Sequence, residues 1–447
     1  MIPIRRVVRF LKTPFQYQAC LLTMARPLTL CHLNRWCLRK FAVELGGGTY
    51  PVYFALNANP SVKDYEDDLA FQKLFDCAKG YSVHVSTGDR IQRARLHCDL
   101  QNTLVSRLPK TCNVLDLVDF QPDVKNSVIK GFFIQDSKDS QQTDRVLQEL
   151  FQRHSFNLCT YFREEDDKLW WQYVWSQTDH GEMTVVKKNC VVPTETPVTH
   201  PSETNIINNV VFYSFEEAYN VLKECIKIIP ESKQVLEAAE QCLSSVKRGT
   251  FPVIIVEGLD ATGKTTLTQS LSQALEGSLL KSPPECLSPW RVRFDAEPPL
   301  IRRAFYALGN YITAGQIATQ SAHSPVIVDR YWHSTAAYAI ATEVSGKAEN
   351  LPALSSDVYR WPSDLLKPDL VVLLTVSPAE RQRRLQARGG DKTKEEAELE
   401  ANQLFRQKVE EAFKRIEDPA CAVIDAGPAR EEVLKEVLLL INNKCHL

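Results

Sequence analysis

Four short apolar runs rich in Val, Ile and Leu lie in the second half of the chain, and each ends in a polar or glycine-containing turn. Continuous runs of this kind are typical of strands whose two faces are both covered, as in parallel sheets. Apolar residues at helical spacing, Leu267, Leu271 and Leu275, follow the first run. This order of strand and helix predicts an α/β domain over 251–447, with strands at 252–256, 325–328, 369–374 and 422–424.

Residues 45–190 show both strand-like and helix-like patterns, and they contain no motif for a nucleotide, a metal or a nucleophile. The patterns predict an N-terminal α+β domain of unknown role, with strands at 49–56, 81–85, 127–134 and 170–175 and helices at 67–78 and 142–154. Trp171, Tyr173 and Trp175 alternate and therefore share one strand face. That face is either part of the core or a platform on which a base could stack.

A segment rich in proline and threonine separates this region from the α/β domain. Residues 191–204 lack helical periodicity and are predicted to be a linker. Residues 205–250 are predicted to be a helical connector, interrupted near Pro230. The chain is therefore expected to carry two domains joined by a linker and a connector.

The first 43 residues contain no acidic residue, and Glu44 is the first one. Basic residues alternate there with apolar residues such as Val7 and Phe10. An arginine-rich, acid-free, amphipathic start is typical of a mitochondrial transit peptide, so residues 1–43 predict a mitochondrial protein. A basic tail without a targeting role is one alternative. A secretory signal is another, but no long apolar segment precedes a cleavage motif.

Composition excludes several classes of protein. The 53 basic and 55 acidic residues give a net charge of −2, which argues against a nucleic-acid footprint over the whole chain. The 13 cysteines include no Cys-x-x-Cys pair, so a zinc ribbon or a thioredoxin-like site is not expected. No apolar stretch reaches the roughly 18 residues that a membrane-spanning helix needs, so no membrane span is expected.

The run at 252–256 leads directly into E-G-L-D-A-T-G-K-T-T, in which residues 258–265 match G-x-x-x-x-G-K-[ST] between a strand and a helix. In such a loop, backbone N–H groups surround phosphate oxygens and the helix adds its positive end. Lys264 is then placed for the β- and γ-phosphates of a nucleotide, and the Thr265 hydroxyl for Mg²⁺. A glycine turn without function is the alternative. The residues predicted to bind the ATP phosphates are Gly258, Leu259, Asp260, Ala261, Thr262, Gly263, Lys264, Thr265 and Thr266.

The run at 325–328 ends in Asp329, Arg330 and Tyr331. In open α/β sheets, ligands bind at the carboxyl ends of the strands. Asp329 is therefore expected to hold Mg²⁺ together with Thr265, and Arg330 to direct its guanidinium at a phosphate. An ordinary ion pair at a strand end is the alternative.

The run at 369–374 leads to Ser377 and Pro378, which are typical of a helix start. The helix is rich in arginine and a Gly-Gly pair follows it, which favours a mobile lid that brings positive charge onto a transferring phosphoryl group. A solvated charged helix is the alternative. The predicted lid residues are Arg381, Arg383, Arg384, Arg388 and Lys392.

In this order, the motifs E-G-L-D-A-T-G-K-T-T, D-R-Y, S-x-x-A-Y, K-P-D-L-V-V-L-L and R-x-x-x-R-G resemble the thymidylate kinase family. The resemblance implies the P-loop NTPase fold of nucleoside monophosphate kinases, a five-stranded parallel sheet with helices on both faces. It implies Mg²⁺-dependent transfer of the γ-phosphoryl group of ATP. With the basic leader and the extra N-terminal domain, it implies a mitochondrial kinase that acts on UMP, CMP, dUMP or dCMP. Family likeness also suggests a homodimer.

The resemblance implies roles for single residues by position. Asp260 would face the acceptor, and Arg330 would clamp the acceptor phosphate. The implied catalytic residues are Lys264, Arg330, Asp260, Arg384 and Arg388, and the implied acceptor-binding residues are Arg330, Ser334, Tyr338 and Tyr311.

Two departures from the family pattern bear on function. Ala261 stands where some members have an arginine, so the catalytic positive charge is expected to come from the lid. Tyr311 stands where an arginine that contacts thymine usually follows the asparagine, which favours uracil or cytosine over thymine. The alternatives are a thymidylate kinase proper, or a P-loop nucleotide-binding switch or scaffold that acts through the N-terminal domain.

Overall fold

A computed structural model describes most of the chain from Arg39 onward. The described residues are 39–45, 51–57, 69–122, 124, 127–138, 140–153, 156–164, 169–177, 183–197, 200–201, 211–242, 248–344, 346–388, 399 and 401–445. The predicted transit peptide up to residue 38 lies outside them, as do Lys392 and the Gly-Gly pair at 389–390. No helix in these ranges is both long enough and apolar enough to cross a membrane.

The N-terminal region forms a closed antiparallel barrel of eight strands. The strands are β1 (Lys40–Val43), β2 (Val52–Asn57), β3 (Lys79–Val85), β4 (Cys112–Phe120), β5 (Ile129–Asp136), β6 (Phe156–Arg163), β7 (Trp170–Gln177) and β8 (Met183–Pro193). They follow the order β1-β2-β8-β7-β6-β3-β5-β4, and pairing of β4 with β1 closes the ring. The helices of this region are α1 (Leu69–Leu74), α2 (Arg90–Arg107) and α3 (Gln141–Arg153).

This barrel corrects the expectation of an N-terminal α+β domain. The sequence patterns predict β2, β3, β5 and β7 but not β1, β4, β6 and β8. Closure depends on contacts such as Phe41 opposite Asp119, which are far apart in sequence and leave no local pattern. Residues 40–43 were expected to belong to the leader, and they form β1. The last strand ends at Pro193, so the first residues of the predicted linker belong to the barrel.

Alternation along β7 separates the inside of the barrel from its outside. Trp170 and Gln172 are buried inside, whereas Trp171, Tyr173 and Trp175 lie half-buried on the outer face. Of the two alternatives for these rings, their half-buried positions do not favour a core face, and the stacking platform stays a prediction. Their outer face is covered in part by neighbouring side chains, since Tyr173 stacks on Phe162 with ring centroids 4.4 Å apart.

Polar side chains form a connected row inside the barrel. The hydroxyls of Ser82 and Tyr161 are 3.0 Å apart, and the Gln172 amide donates to the Tyr161 oxygen at 2.7 Å. The Asn189 amide donates to Gln172 at 3.0 Å. Each of these residues is at most 2 % exposed, so the row satisfies its own hydrogen bonds without solvent.

The C-terminal domain is built on a parallel sheet. Its strands are β9 (Val253–Gly258), β10 (Ser278–Lys281), β11 (Val326–Asp329), β12 (Leu370–Thr375) and β13 (Cys421–Asp425), in the order β10-β11-β9-β12-β13. The helices are α4 (Phe215–Cys225) and α5 (Ser232–Cys242) of the connector, followed by α6 (Lys264–Ala274), α7 (Ser288–Asp295), α8 (Pro299–Gln320), α9 (Trp332–Glu343), α10 (Pro378–Arg388), α11 (Gln403–Arg415) and α12 (Arg430–Cys445).

Helices cover both faces of this sheet, as expected. Val253 and Ile255 of β9 pack into one core with α9 and α11, and Ile254 and Val256 pack into another with α6 and α12. This explains why the strand reads as an uninterrupted apolar run. The connector helices α4 and α5 pack against α8, so the connector belongs to the body of the C-terminal domain.

Candidate active site

The predicted phosphate loop connects β9 to α6 at the carboxyl edge of the sheet. Gly258 has φ 140° and Gly263 has φ 97°, conformations that side chains rarely adopt. A Cβ atom on Gly258 would also lie 2.5 Å from the Leu374 carbonyl oxygen. Lys264 and Thr262 both donate at 2.8 Å to the Leu259 carbonyl oxygen, which fixes the curl of the loop. The motif therefore forms the strand, loop and helix that phosphate binding requires.

The two predicted metal ligands lie next to each other. The Thr265 hydroxyl donates to Asp329 Oδ2 at 2.9 Å. Asp329 ends β11, the parallel neighbour of β9, so both oxygens lie at the same edge of the sheet. Mg²⁺ is often bound by one or two protein oxygens, with phosphates and water completing its shell, and this pair fits that chemistry. Within the described ranges there is no cluster of three His, Cys, Asp or Glu residues that could hold a metal alone.

Asp260 and Arg330 form an ion pair beside the loop. Arg330 Nη2 is 2.5 Å from Asp260 Oδ1, and its Nη1 donates to the Ser334 hydroxyl at 3.1 Å. Arg330 has φ 67°, a left-handed conformation that costs free energy for a residue with a side chain. Burial opposes ionisation of Asp260, but the charges of Arg330 and Lys264 outweigh it and lower the pKa of its carboxyl.

A buried acid, Glu257, contacts the residues that follow Arg330 and so helps to position it. It is fully buried, and it accepts hydrogen bonds from the backbone N–H of Tyr331 at 2.8 Å and of Ser334 at 3.1 Å. The Ser334 hydroxyl also donates to it, at 2.5 Å. Burial raises the pKa of Glu257 to about 7 against the lowering effect of Ser334 and Arg330. The sequence-based site did not include Glu257, although an acid inside an apolar strand was a signal.

The predicted acceptor-binding residues fall into two groups in the structure. Ser334 and Tyr338 lie on α9, and Ser334 contacts Arg330 directly. Tyr311 of α8 is 5 % exposed and donates to Asp364 at 2.6 Å, so its hydroxyl engages the loop before β12 and not Arg330 or Ser334.

The residue before Tyr311 links the elements on this side. The Asn310 side-chain oxygen accepts from the Ser282 hydroxyl at 2.7 Å, and its amide donates to Thr335 at 2.9 Å. Asn310 is therefore a bridge between α8, α9 and the loop after β10. Sequence reasoning named it only as the neighbour of Tyr311.

The arginines of α10 differ from one another in the groups that they contact. Arg381 is 4 % exposed, and its Nε donates to the Asp260 carbonyl oxygen at 3.1 Å. Arg384 donates to the Thr262 carbonyl oxygen at 3.3 Å and to Glu380 at 2.7 Å. Arg383 is mostly exposed and pairs with Glu380. The side chain of Arg388 lies outside the described parts of the chain, so the lid stays a prediction.

The sequence of the chain is similar to those of known nucleotide kinases. A family model described as thymidylate kinase matches residues 256–437. The chain is 46% identical over 416 residues to UMP-CMP kinase 2, mitochondrial, from Homo sapiens. The aligned residues make up 91% of this chain and 92% of that protein. A probable thymidylate kinase from Archaeoglobus fulgidus is 28% identical over 212 residues, 44% of this chain and 97% of that protein. Among solved structures, thymidylate kinase from Candida albicans gives 22% identity and a TM-score of 0.35 over 45% of this chain and 94% of that one. The human relative thus extends over the barrel as well as the sheet domain.

Proposed function

Since the chain belongs to the thymidylate kinase family, we propose that it is a pyrimidine nucleoside monophosphate kinase that transfers the γ-phosphoryl group of ATP to UMP or CMP and their deoxy forms. The observation that carries the proposal is the 46% identity to human UMP-CMP kinase 2 over 91% of the chain. The thymidylate kinases match less than half of the chain, and their identity is lower. The Asp260–Arg330 pair beside the phosphate loop supplies a guanidinium group that could bind the phosphate of a nucleoside monophosphate.

Phosphoryl transfer needs positioned groups and neutralised charge more than it needs covalent chemistry. In our proposal, Lys264 and the loop N–H groups bind the ATP phosphates. Thr265 and Asp329 would hold Mg²⁺, which adds positive charge to the phosphate oxygens when it is bound. Arg330 binds the acceptor phosphate through its planar guanidinium, and Asp260 orients that guanidinium.

Two helix-borne arginines support the loop from the other side. Arg381 and Arg384 donate to carbonyl oxygens at both ends of the 260–262 segment. We propose that they keep the loop N–H groups directed at the phosphates, while the lid supplies the charge that Ala261 does not. Arg384, Arg388 and Lys392 are the candidates for that charge.

The location of the protein in the mitochondrion is supported by two observations. The relative named mitochondrial aligns with most of the chain, and residues 1–43 have the composition of a transit peptide. Because β1 begins at Lys40 and closes the barrel, we propose that cleavage occurs before Lys40. A homodimer is also proposed from family likeness.

An ADP-release assay with Mg-ATP tests the function. The acceptors are UMP, CMP, dUMP, dCMP, dTMP and AMP. We expect turnover with the uracil and cytosine nucleotides and little with dTMP or AMP. A strong preference for dTMP would make the protein a thymidylate kinase, and ATP binding without turnover of any acceptor would favour the switch or scaffold alternative.

A further inference from the structure

The barrel contacts the C-terminal domain through a group of charges in which the acid is buried and the barrel lysine is exposed. Lys130 of β5 forms an ion pair with Glu343, the last residue of α9. Arg303 of α8 donates to the same carboxylate at 3.1 Å. The side chains of Glu343 and Arg303 are only 6% and 8% exposed, whereas that of Lys130 is 41% exposed. One carboxylate therefore joins three elements from two domains.

The charge on Glu343 depends on these partners. Burial alone would raise the pKa of Glu343, but the positive charges of Lys130 and Arg303 outweigh this effect and lower it to about 2. Removing Lys130 would leave the buried Glu343 carboxylate with Arg303 as its remaining cation, and a buried charge with less compensation is costly. A change at Lys130 would therefore act on α9 and α8, although Lys130 lies in the barrel.

Helices α8 and α9 carry the residues of the acceptor side. Arg303 precedes Asn310 by seven residues, a distance of about 10 Å along a helix. Asn310 is bonded to Thr335 of α9 at 2.9 Å. The two helices are thus tied at two levels, one at Asn310 and Thr335 and the other at Arg303 and Glu343.

A second contact fixes the end of α9. Lys408 of α11, which is 7% exposed, donates to the carbonyl oxygen of Val344 directly after the helix. Burial lowers the pKa of Lys408 to about 8, and the Glu44 carboxylate after β1 opposes that shift. His200 lies 3.2 Å from the same Glu44 carboxylate. Glu44 of the barrel region therefore lies close enough to Lys408 to influence its charge.

We propose that the barrel braces the acceptor side of the kinase, and that Lys130 is the positioning residue that holds the end of α9 against α8. The inference rests on the proposed function, because it assigns the barrel a role in binding the nucleoside monophosphate. It predicts that loss of Lys130 weakens acceptor binding and leaves ATP binding unchanged, since the phosphate loop follows β9 and does not contact this junction.

Another contact between the domains provides a matched control. Arg90 of α2 binds Glu224 of α4 through two hydrogen bonds of 2.8 Å. Both side chains are more than a third exposed, and neither helix carries a predicted acceptor residue. The two basic residues are similarly exposed, at 37% for Arg90 and 41% for Lys130, but Glu224 is 48% exposed whereas Glu343 is 6% exposed. A pair in which both partners are exposed contributes little free energy. The Arg90→Ala variant therefore breaks a contact between the domains without disturbing the end of α9.

The test measures steady-state kinetics of the full chain with CMP and Mg-ATP. We expect Lys130→Met to raise KM for CMP about five- to tenfold, with KM for ATP within about twofold of wild type. Lys130→Arg should restore KM for CMP, and Arg90→Ala should leave it unchanged. In a Glu343→Gln background, Lys130→Met should add little further effect. If Lys130→Met does not fold, Lys130→Gln gives the same comparison.

Hydrogen exchange of the same proteins separates this inference from the proposed function. Amides at 338–343 should exchange faster in Lys130→Met than in wild type or Arg90→Ala. Three results would overturn the proposal that Lys130 positions α9: an unchanged KM for CMP, an equal rise in the KM values for CMP and ATP, or unchanged exchange at 338–343. If wild type turns over no acceptor, the proposed function fails, and the exchange result alone then decides whether the barrel holds α9.

Discussion

Both domains bury polar side chains, but they arrange them differently. In the barrel, Tyr161 and Gln172 bond to their neighbours in a row that is enclosed by the wall. In the sheet domain, Glu257, Asp260 and Arg330 meet where the strands end and bind the backbone and side chains around the phosphate loop. The first arrangement satisfies itself, whereas the second directs charge to an open edge. Substitutions in the enclosed row should therefore cost stability, and substitutions of the three residues at the strand ends should cost catalysis.

The largest effect is expected at Lys264. Lys264→Ala should lower turnover about 10²–10³-fold, because the charge that neutralises the transferring phosphoryl group is lost. The melting temperature should change little, and both quantities can be measured on one preparation. Arg107→Ala is the control, since that arginine ends α2 in the barrel region and pairs there with Glu149. Near-normal turnover of Lys264→Ala would contradict the assigned role.

The second largest effect is expected for Arg330→Ala. Its kcat/KM for the acceptor should be about 10²-fold lower than that of wild type, and its KM for ATP should change little. Arg330→Lys should recover only part of the loss, because a lysine cannot bind a phosphate through two parallel hydrogen bonds. Full recovery by lysine would show that charge alone matters at this position.

A smaller effect is expected at Glu257, which positions Arg330 without contacting a nucleotide phosphate. Glu257→Gln should lower kcat about tenfold, since an amide NH2 group cannot accept the hydrogen bond that the Ser334 hydroxyl donates to the Glu257 carboxylate.

The pH dependence of stability gives this variant a second readout. The pKa of Glu257 is raised from 4.5 to about 7, so the folded state keeps a proton that the unfolded state has lost. Relative to the variant, the free energy of unfolding of wild type should be highest below pH 4.5 and fall as the pH rises to about 7. Denaturant unfolding across this range measures it, and parallel curves for the two proteins would rule out the shift.

The smallest effect on catalysis is expected in the barrel. Tyr161→Phe removes a hydroxyl that accepts from Gln172 and bonds to Ser82. The free energy of unfolding should fall by about 1–3 kcal/mol, because buried polar groups lose their partner. Turnover per folded molecule should stay unchanged, and a loss of kcat would show that the enclosed row also serves the active site.

The same contrast explains how much the sequence could predict. Residues 258–265 and the run from Asp329 to Tyr331 are contiguous, and local physics dictates their strand, loop and helix, so the phosphate loop and four of the five strands were predicted correctly. The pattern missed the short edge strand β10, and only the family resemblance implied a fifth strand. The barrel was not, because its closure depends on β1 pairing with β4, far away in sequence. Arg381 was assigned to a lid because the helix is rich in arginine and a Gly-Gly pair follows it. Its guanidinium instead donates to the Asp260 carbonyl oxygen, a contact that only the packing of α10 determines.

The closed ring of strands also affects how the molecule can associate with itself. A closed barrel has no strand edge to which another chain could add. The parallel sheet ends in β10 and β13, which are four and five residues long. Leu279 and Val423 on these strands are 42% and 50% exposed. Strand-mediated aggregation of the described part of the chain would therefore begin at these two short edges.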